Sequence, residues 1–330
     1  MRSARGYLEQ EETAGGKTLS PGGLCRNSQA MIEKLEMFIA LAREQHFGRA
    51  AEACGVTQPS LSAAIKQLED QLGVMLVWRG SRFQGLTPEG QRVLEWARQI
   101  VGDARTMREE MRTAKQGLSG NLRLAVIPTA LTMVSDLTTQ FSLRHPNVRF
   151  TVRSSTSIEI LAQLENLQID AGISYLDNEP LGRVSTVPLY DERYCVVLRA
   201  DDPLAAKGGL HWAELGDLPL CLLTPDMQNR RIINLHMAEA GVNAQPRVEA
   251  SSVIVLISHV LAGGWATVLP LKAAEIFLTA GNLVALPLTA PDAHHAVGLI
   301  APYREPHTPV LAALMQQAQT IAEKRPGTIA

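Results

Sequence analysis

From Met31 the apolar positions fall at Ile32, Leu35, Phe38, Ile39, Leu41 and Ala42, with Glu33, Lys34, Glu36, Arg43 and Glu44 between them. That spacing predicts an amphipathic helix. A second short helix is predicted over Phe47–Cys54, broken at Gly55. A third opens at Thr57-Gln58-Pro59-Ser60 and runs to about Gln71. Pro59 falls in its first turn, where the missing N–H costs nothing. Ala51 is small enough for two helices to cross, Gly55 supplies a positive φ in the turn, and Leu61 seals the crossing. Ile65, Leu68 and Leu72 continue the stripe predicted to be buried, and Gln58, Ser62, Ala63 and Lys66 fall on the opposite face. Short polar groups with one cation suit a helix lying in a DNA major groove. Val74 to Trp78 and Leu86-Thr87 flank Arg79-Gly80-Ser81-Arg82 and predict a wing. Arg79 and Arg82 at its tip are candidate contacts to phosphate or minor groove, and Arg49 is a candidate phosphate contact.

Pro88 and Glu89 open a long helix with apolar or small residues at Val93, Ala97, Ile100, Ala104, Met107, Met111, Ala114 and Leu118. The steps alternate four and three, the seam of a two-stranded coiled coil that pairs subunits. Gly117 and Gly120 supply a hinge. From Asn121 the texture becomes alternating strands and helices, and predicts a mostly parallel α/β sheet with helices on both faces. Predicted strands are Leu122–Ile127, Val148–Val152, Ile169–Ser174, Tyr194–Arg199, Leu220–Leu223, Arg247–Ala250, Ala266–Leu269, Leu283–Leu288 and Ala296–Ala301. Predicted helices include Ser157–Leu167, Arg230–Glu239, Val253–Ala262 and Val310–Ala322. Sites in such sheets lie beyond strand carboxyl ends, against helix N-termini. The hydroxyl- and amide-rich positions there are Thr129, Ser155-Thr156-Ser157, and Thr224 with Gln228 and Asn229. Free N–H groups with hydroxyls favour a small anion such as a carboxylate, with Arg230 or Arg231 adding charge. The bland alternative is that these Ser and Thr residues are helix caps.

Over the 330 residues the net charge is −2, and over residues 31–90 six Lys/Arg face seven Asp/Glu. Binding of nucleic acid through gross positive charge is therefore excluded, and any basic footprint comes from placement. A helical module that touches protein rather than DNA is the alternative at this point. Residues 1–30 lack an apolar core and read as a flexible extension, not an export signal. Ser252–Leu271, the longest apolar stretch, contains His259 and Gly263-Gly264 and reads as helix, turn and strand rather than a membrane span. A cytoplasmic protein with no membrane partner is expected. The G-x-S-x-G elbow, the phosphate loop and H-E-x-x-H are absent, so neither enzyme chemistry nor a cofactor is expected. His294-His295 in a strand face opposite sides and cannot share a metal. Cys195 and Cys221 sit inside apolar runs and read as small buried hydrophobes.

The run from Ala42 to Gly90 resembles the winged helix-turn-helix of LysR-type transcriptional regulators. The matching marks are Phe38, Phe47 with Ala50-Ala51, Thr57-Gln58-Pro59-Ser60-Leu61-Ser62, Ile65-x-x-Leu68-Glu69, Leu72-Gly73 and Leu86-Thr87-Pro88-x-Gly90. Two positions depart from the pattern: Ala63 stands where a basic residue is common, and Trp78 where Arg is usual. The resemblance adds Thr57, Pro59 and Ser60 to the candidate DNA contacts. It implies a winged helix-turn-helix over 31–90, a dimerising linker helix over 91–118 and a two-lobed periplasmic-binding-protein-like effector domain over 119–330. Lobe I covers about 119–190 and 290–330, and lobe II about 191–289. It further implies a homo-oligomer, dimer or tetramer, on double-stranded promoter DNA, with a small-molecule effector between the lobes and RNA polymerase as a further partner. In the peroxide-sensing branch of this family the response is a cysteine redox switch. The run LLTPDMQNRR is similar to that of members linked to one-carbon, formate-type metabolism. The competing function is a solute-binding or transport-associated protein of the same α/β fold.

Overall fold

A computed structural model describes residues 21–78, 83–243 and 245–323. The chain divides into two compact units between Val101 and Gly102. In the first, α1 (Pro21–Glu44), α2 (Phe47–Ala53) and α3 (Gln58–Leu72) pack together. Phe38, Leu41, Ala50, Ala51, Leu61, Ile65 and Leu68 form the core between them. The sequence pattern starts the first helix at Met31, yet α1 starts at Pro21. Once packed turns exist, each added residue costs little, and proline is preorganised for a first turn. Residues 1–20 of the expected extension lie outside the described residues. Gly55 has φ +66° in the turn between α2 and α3, and Gly73 has φ +70° at the end of α3. Leu72 is 42% exposed, so the buried stripe of α3 ends at Leu68. Among the described residues the base of the wing is an antiparallel bridge, Val77 to Leu86. Arg79 and Arg82 lie outside the described residues.

Two residues anchor that wing. Glu69 is buried, and its Oε1 accepts from the N–H of Leu76 at 2.9 Å and of Val77 at 3.4 Å. Thr87 donates to the Met75 carbonyl at 2.6 Å and accepts from Gly90 N–H at 2.9 Å, at the start of α4 (Pro88–Gln116). A Cβ at Gly90 would overlap the Leu76 carbonyl. Gly90→Ala is therefore expected to destabilise this unit by about 1–3 kcal/mol, as overpacking does. A thermal melt of residues 1–101 against the substituted form checks it, an unchanged midpoint contradicting the close approach.

The second unit contains β1 (Gly120–Val126), α5 (Val134–Arg144), β2 (Val148–Ser154), α6 (Ser157–Glu165), β3 (Ala171–Tyr175) and β4 (Val184–Arg199). It continues with β5 (Leu210–His211), β6 (Cys221–Leu223), α7 (Gln228–Glu239), β7 (Val248–Ala250), α8 (Val253–Ala262) and β8 (Thr267–Pro270). It ends with α9 (Leu271–Leu278), β9 (Leu283–Thr289), β10 (His294–Pro302) and α10 (Pro309–Glu323). The large sheet has the order β2-β1-β3-β10-β4-β9-β5, with β8 also on β4. It is mixed rather than mostly parallel: β1 pairs in parallel with β2 and β3, but β10 is antiparallel to β3 and β4, and β4 to β8 and β9. The reason is β4, a single strand long enough to serve both lobes. Through Arg193 it pairs with β10, and from Tyr194 with β8 and β9. The sequence pattern shows only its second half, because Pro188 and the charged residues Asp191, Glu192 and Arg193 interrupt the apolar run. Across the described residues no helix is long and apolar enough to cross a membrane.

Candidate functional sites: a helix face and an inter-lobe cleft

On α3 the buried stripe leaves one polar face outward. Thr57, Gln58, Pro59, Ser60 and Lys66 are exposed and Ser62 is half-buried. Thr57 caps the helix, its Oγ1 accepting from Ser60 N–H at 3.4 Å and lying 2.9 Å from Ser60 Oγ. The cap fixes the first turn, the part of a recognition helix that meets base edges. Gln58 and Ser62 are one turn apart and share a face, with Lys66 one turn further. Arg49 is exposed but engaged, its Nη2 donating to the Glu44 carbonyl at 2.6 Å. His46, which the sequence pattern does not single out, caps α2 by accepting from Gly48 N–H at 3.1 Å and Arg49 N–H at 3.3 Å.

Along α4 the seam predicted from sequence splits. Ala97 of the seam is buried, beside Leu94 and Val101 from outside it, whereas Ile100, Met107 and Met111 of the seam are 43%, 58% and 58% exposed. Trp96, one turn before Ile100, adds a 64% exposed ring to the same stripe.

In the second unit a narrow cleft with free space of about 10 Å³ is lined by Ile127, Pro128, Thr129, Thr156, Ser157, Tyr175, Leu223, Met227, Gln228 and Asn229. It lies beyond β1, β3 and β6, against the 3-10 turn Pro128–Met133 and the first turns of α6 and α7. Five of the seven predicted positions meet there: Thr129, Thr156, Ser157, Gln228 and Asn229. Ser155 and Thr224 do not line it. Ser155 instead accepts from Gln163 Nε2 at 3.1 Å. Thr156 does double duty, since it also forms a capping box with Glu159. On α7, by contrast, Met227 offers no capping side chain, so the first N–H groups carry no side-chain cap. Thr129 is 1% exposed and its Oγ1 has no partner. Of the two arginines, Arg231 touches a cleft residue, its Nη2 donating to Ser157 Oγ at 3.4 Å. Arg230 turns back to Glu249 at 2.7 Å and the Leu223 carbonyl at 2.8 Å, while Arg231 pairs with Glu179 at 2.7 Å.

Behind the cleft is a buried polar cluster scattered in sequence, and so invisible to local spacing. Tyr175 donates to Glu192 Oε2 at 2.6 Å and Tyr190 to Oε1 at 3.2 Å. Asn229 Nδ2 donates to the Tyr175 hydroxyl at 3.1 Å. His295 sits 2.9 Å from His236, ring nitrogen to ring nitrogen, and 3.2 Å from Asp177. Burial pushes the Glu192 carboxyl up to about 7, against the pull of the two hydroxyls and with Asp177 adding to the rise. The folded chain thus holds this proton where the unfolded one has released it, and stability falls as pH rises from about 5 through 7. Relative to Glu192→Gln, the wild-type melting midpoint is expected to drop over that window. Parallel pH profiles of the two would contradict this.

Cys195 and Cys221 are buried in the core, as their apolar surroundings predict. Burial pushes their thiols up to about 12 and about 11. Among the described residues no cluster of three His, Cys, Asp or Glu is placed to hold a metal ion.

Two family descriptions match the chain: "LysR substrate binding domain" over residues 115–322, and "Bacterial regulatory helix-turn-helix protein, lysR family" over residues 32–91. The DNA-binding transcriptional dual regulator OxyR of Escherichia coli (strain K12) is 30% identical over 297 residues, 90% of this chain and 96% of that protein. A probable hydrogen peroxide-inducible genes activator of Mycobacterium xenopi is 36% identical over 183 residues, 55% of this chain and 96% of that one. A full-length OxyR variant from Pseudomonas aeruginosa superimposes with a TM-score of 0.68 at 28% identity, covering 88% of this chain and 99% of that one.

Proposed function

The chain belongs to the LysR family of bacterial transcriptional regulators, and on that premise we propose that it binds promoter DNA as a homo-oligomer and alters its grip when a small organic anion enters the cleft at Thr129, Ser157 and Gln228. Support for the DNA half comes from the capped first turn of α3, with Gln58, Ser62 and Lys66 displayed over a buried apolar stripe. Gln bonds bidentately to adenine, Ser adapts to either base type, and Lys takes guanine or phosphate. Arg49, Arg79 and Arg82 complete the proposed contact set as phosphate or minor-groove cations, Arg49 by exchanging Glu44 for a phosphate. Pairing through the exposed stripe of α4 would set the spacing of two α3 helices and sum two weakly charged footprints.

The observation that carries the effector half is the buried, partnerless Thr129 Oγ1 in the cleft that the first turn of α7, without a side-chain cap, also lines. Helix N–H groups and a free hydroxyl are the donor set a carboxylate needs. Closing the two lobes around the ligand would shift the paired DNA-binding units and the bend of the DNA. Thermal-shift measurement against small carboxylates tests this: a raised midpoint that Thr129→Val abolishes is expected, and no stabilisation by any of them contradicts it.

Several relatives are named for hydrogen peroxide, and the three cysteines whose side chains the structure describes argue against the same trigger. A peroxide-reactive cysteine needs an accessible thiolate. Cys195 and Cys221 are buried with thiols far above the ordinary range, and burial also raises half-buried Cys54. Peroxide at concentrations that oxidise free thiols in seconds is expected to leave the DNA complex unchanged. A mobility shift altered by peroxide and restored by Cys195→Ser or Cys221→Ser would contradict this.

A further inference from the structure

The cleft contains one polar group that a bare anion leaves unsatisfied. Asn229 lines it and is 3% exposed. At pH 8, above the titration of Glu192 near 7, its carboxylate only accepts, so the single hydroxyl proton of Tyr175 goes to Glu192 at 2.6 Å. The Tyr175 oxygen must then accept, and it takes Asn229 Nδ2 at 3.1 Å. The Tyr194 hydroxyl, 3.5 Å from that of Tyr175, is a second hydroxyl oxygen within hydrogen-bond reach of the Asn229 amide. The direction of the amide is thereby set, and its other end, Oδ1, is buried without a partner. An amide oxygen can only accept. A simple carboxylate seated among the helix N–H groups would present acceptors to an acceptor there, leaving a buried oxygen unpaired. No acidic side chain lines the cleft, so an ammonium group would have no counter-charge in it. A neutral hydroxyl satisfies Oδ1 without that penalty, and the narrowness of the cleft, with free space of about 10 Å³, favours the shortest ligands.

Resting on the reading of this cleft as a small-anion site, the geometry points to a short hydroxy carboxylate as the ligand class, with Asn229 Oδ1 the acceptor that selects its hydroxyl and Tyr175 and Glu192 the residues that hold the amide in place. A site built to hydrogen-bond a hydroxyl rejects the analogue that lacks it, here by roughly 10- to 100-fold.

Calorimetric titration of the full-length protein at pH 8 with two matched pairs, glycolate against acetate and lactate against propionate, tests this. Each hydroxy acid is expected to bind at least about tenfold more tightly than its partner. Asn229→Ala is expected to bring the ratio close to one, and Tyr175→Phe to reduce it several-fold. Tyr175→Phe removes only an oxygen and serves where Asn229→Ala fails to fold. Equal binding within each pair would overturn the selection by Asn229 while leaving the anion site standing. Binding of none of the four acids would overturn both.

Discussion

Met107→Glu combined with Met111→Glu is expected to leave the protein monomeric and to weaken promoter binding by about 10²–10⁴-fold. Both side chains are 58% exposed on α4, in line with Ile100 and Trp96. A lone helix has no reason to display such a stripe, whereas two copies paired as proposed would bury it in a coiled-coil seam. Two glutamates per strand would face their counterparts and repel. The buried positions Leu94, Ala97 and Val101 are untouched, so each unit should keep its fold. Sedimentation and a mobility-shift titration, run side by side, check the result. A substituted protein that remains dimeric at the same concentration would place the subunit contact elsewhere.

Gln58→Ala with Ser62→Ala is the second large effect. Each good base contact is worth about 1–3 kcal/mol of discrimination, and the pair removes two per half-site. Specific binding should fall by about 10³-fold or more, toward the level of arbitrary DNA. The core residues Leu61, Ile65 and Leu68 point the other way and are unaffected. Lys66→Ala should differ in kind, weakening binding to all sequences and flattening the salt dependence. Retained sequence preference in the double variant would remove α3 from the groove.

The helices of the first unit and α8 were legible because their information is local. Period, cap and breaker lie within a few residues, so Val253–Ala262 is bounded identically by the sequence pattern and the structure. The start of α9 was hidden because Leu271 follows β8 without a break, and apolar residues on both sides of Pro270 blur strand into helix. Sheet direction was misread because alternation of strands and helices does not reveal a strand that changes lobes, as β4 does. Five of the seven cleft residues could be found from position alone, since hydroxyls after strands mark helix N-termini. Ser155 and Thr224 share that signal but not the cleft, because one residue of offset at a strand end turns a side chain away. The hydrogen-bonded arrangement of Tyr175, Glu192 and Asn229 left no mark in the sequence. Its members lie on β3, β4 and α7 and meet only through the tertiary fold.

The account stands on α3 reading DNA as one of a linked pair. Protection of the DNA immediately upstream of the protein's own gene against nuclease digestion tests it most directly. Two protected half-sites centred a whole number of helical turns apart, both lost in the Gln58→Ala, Ser62→Ala form, are predicted. Uniform cleavage at concentrations where the intact protein is dimeric would contradict it.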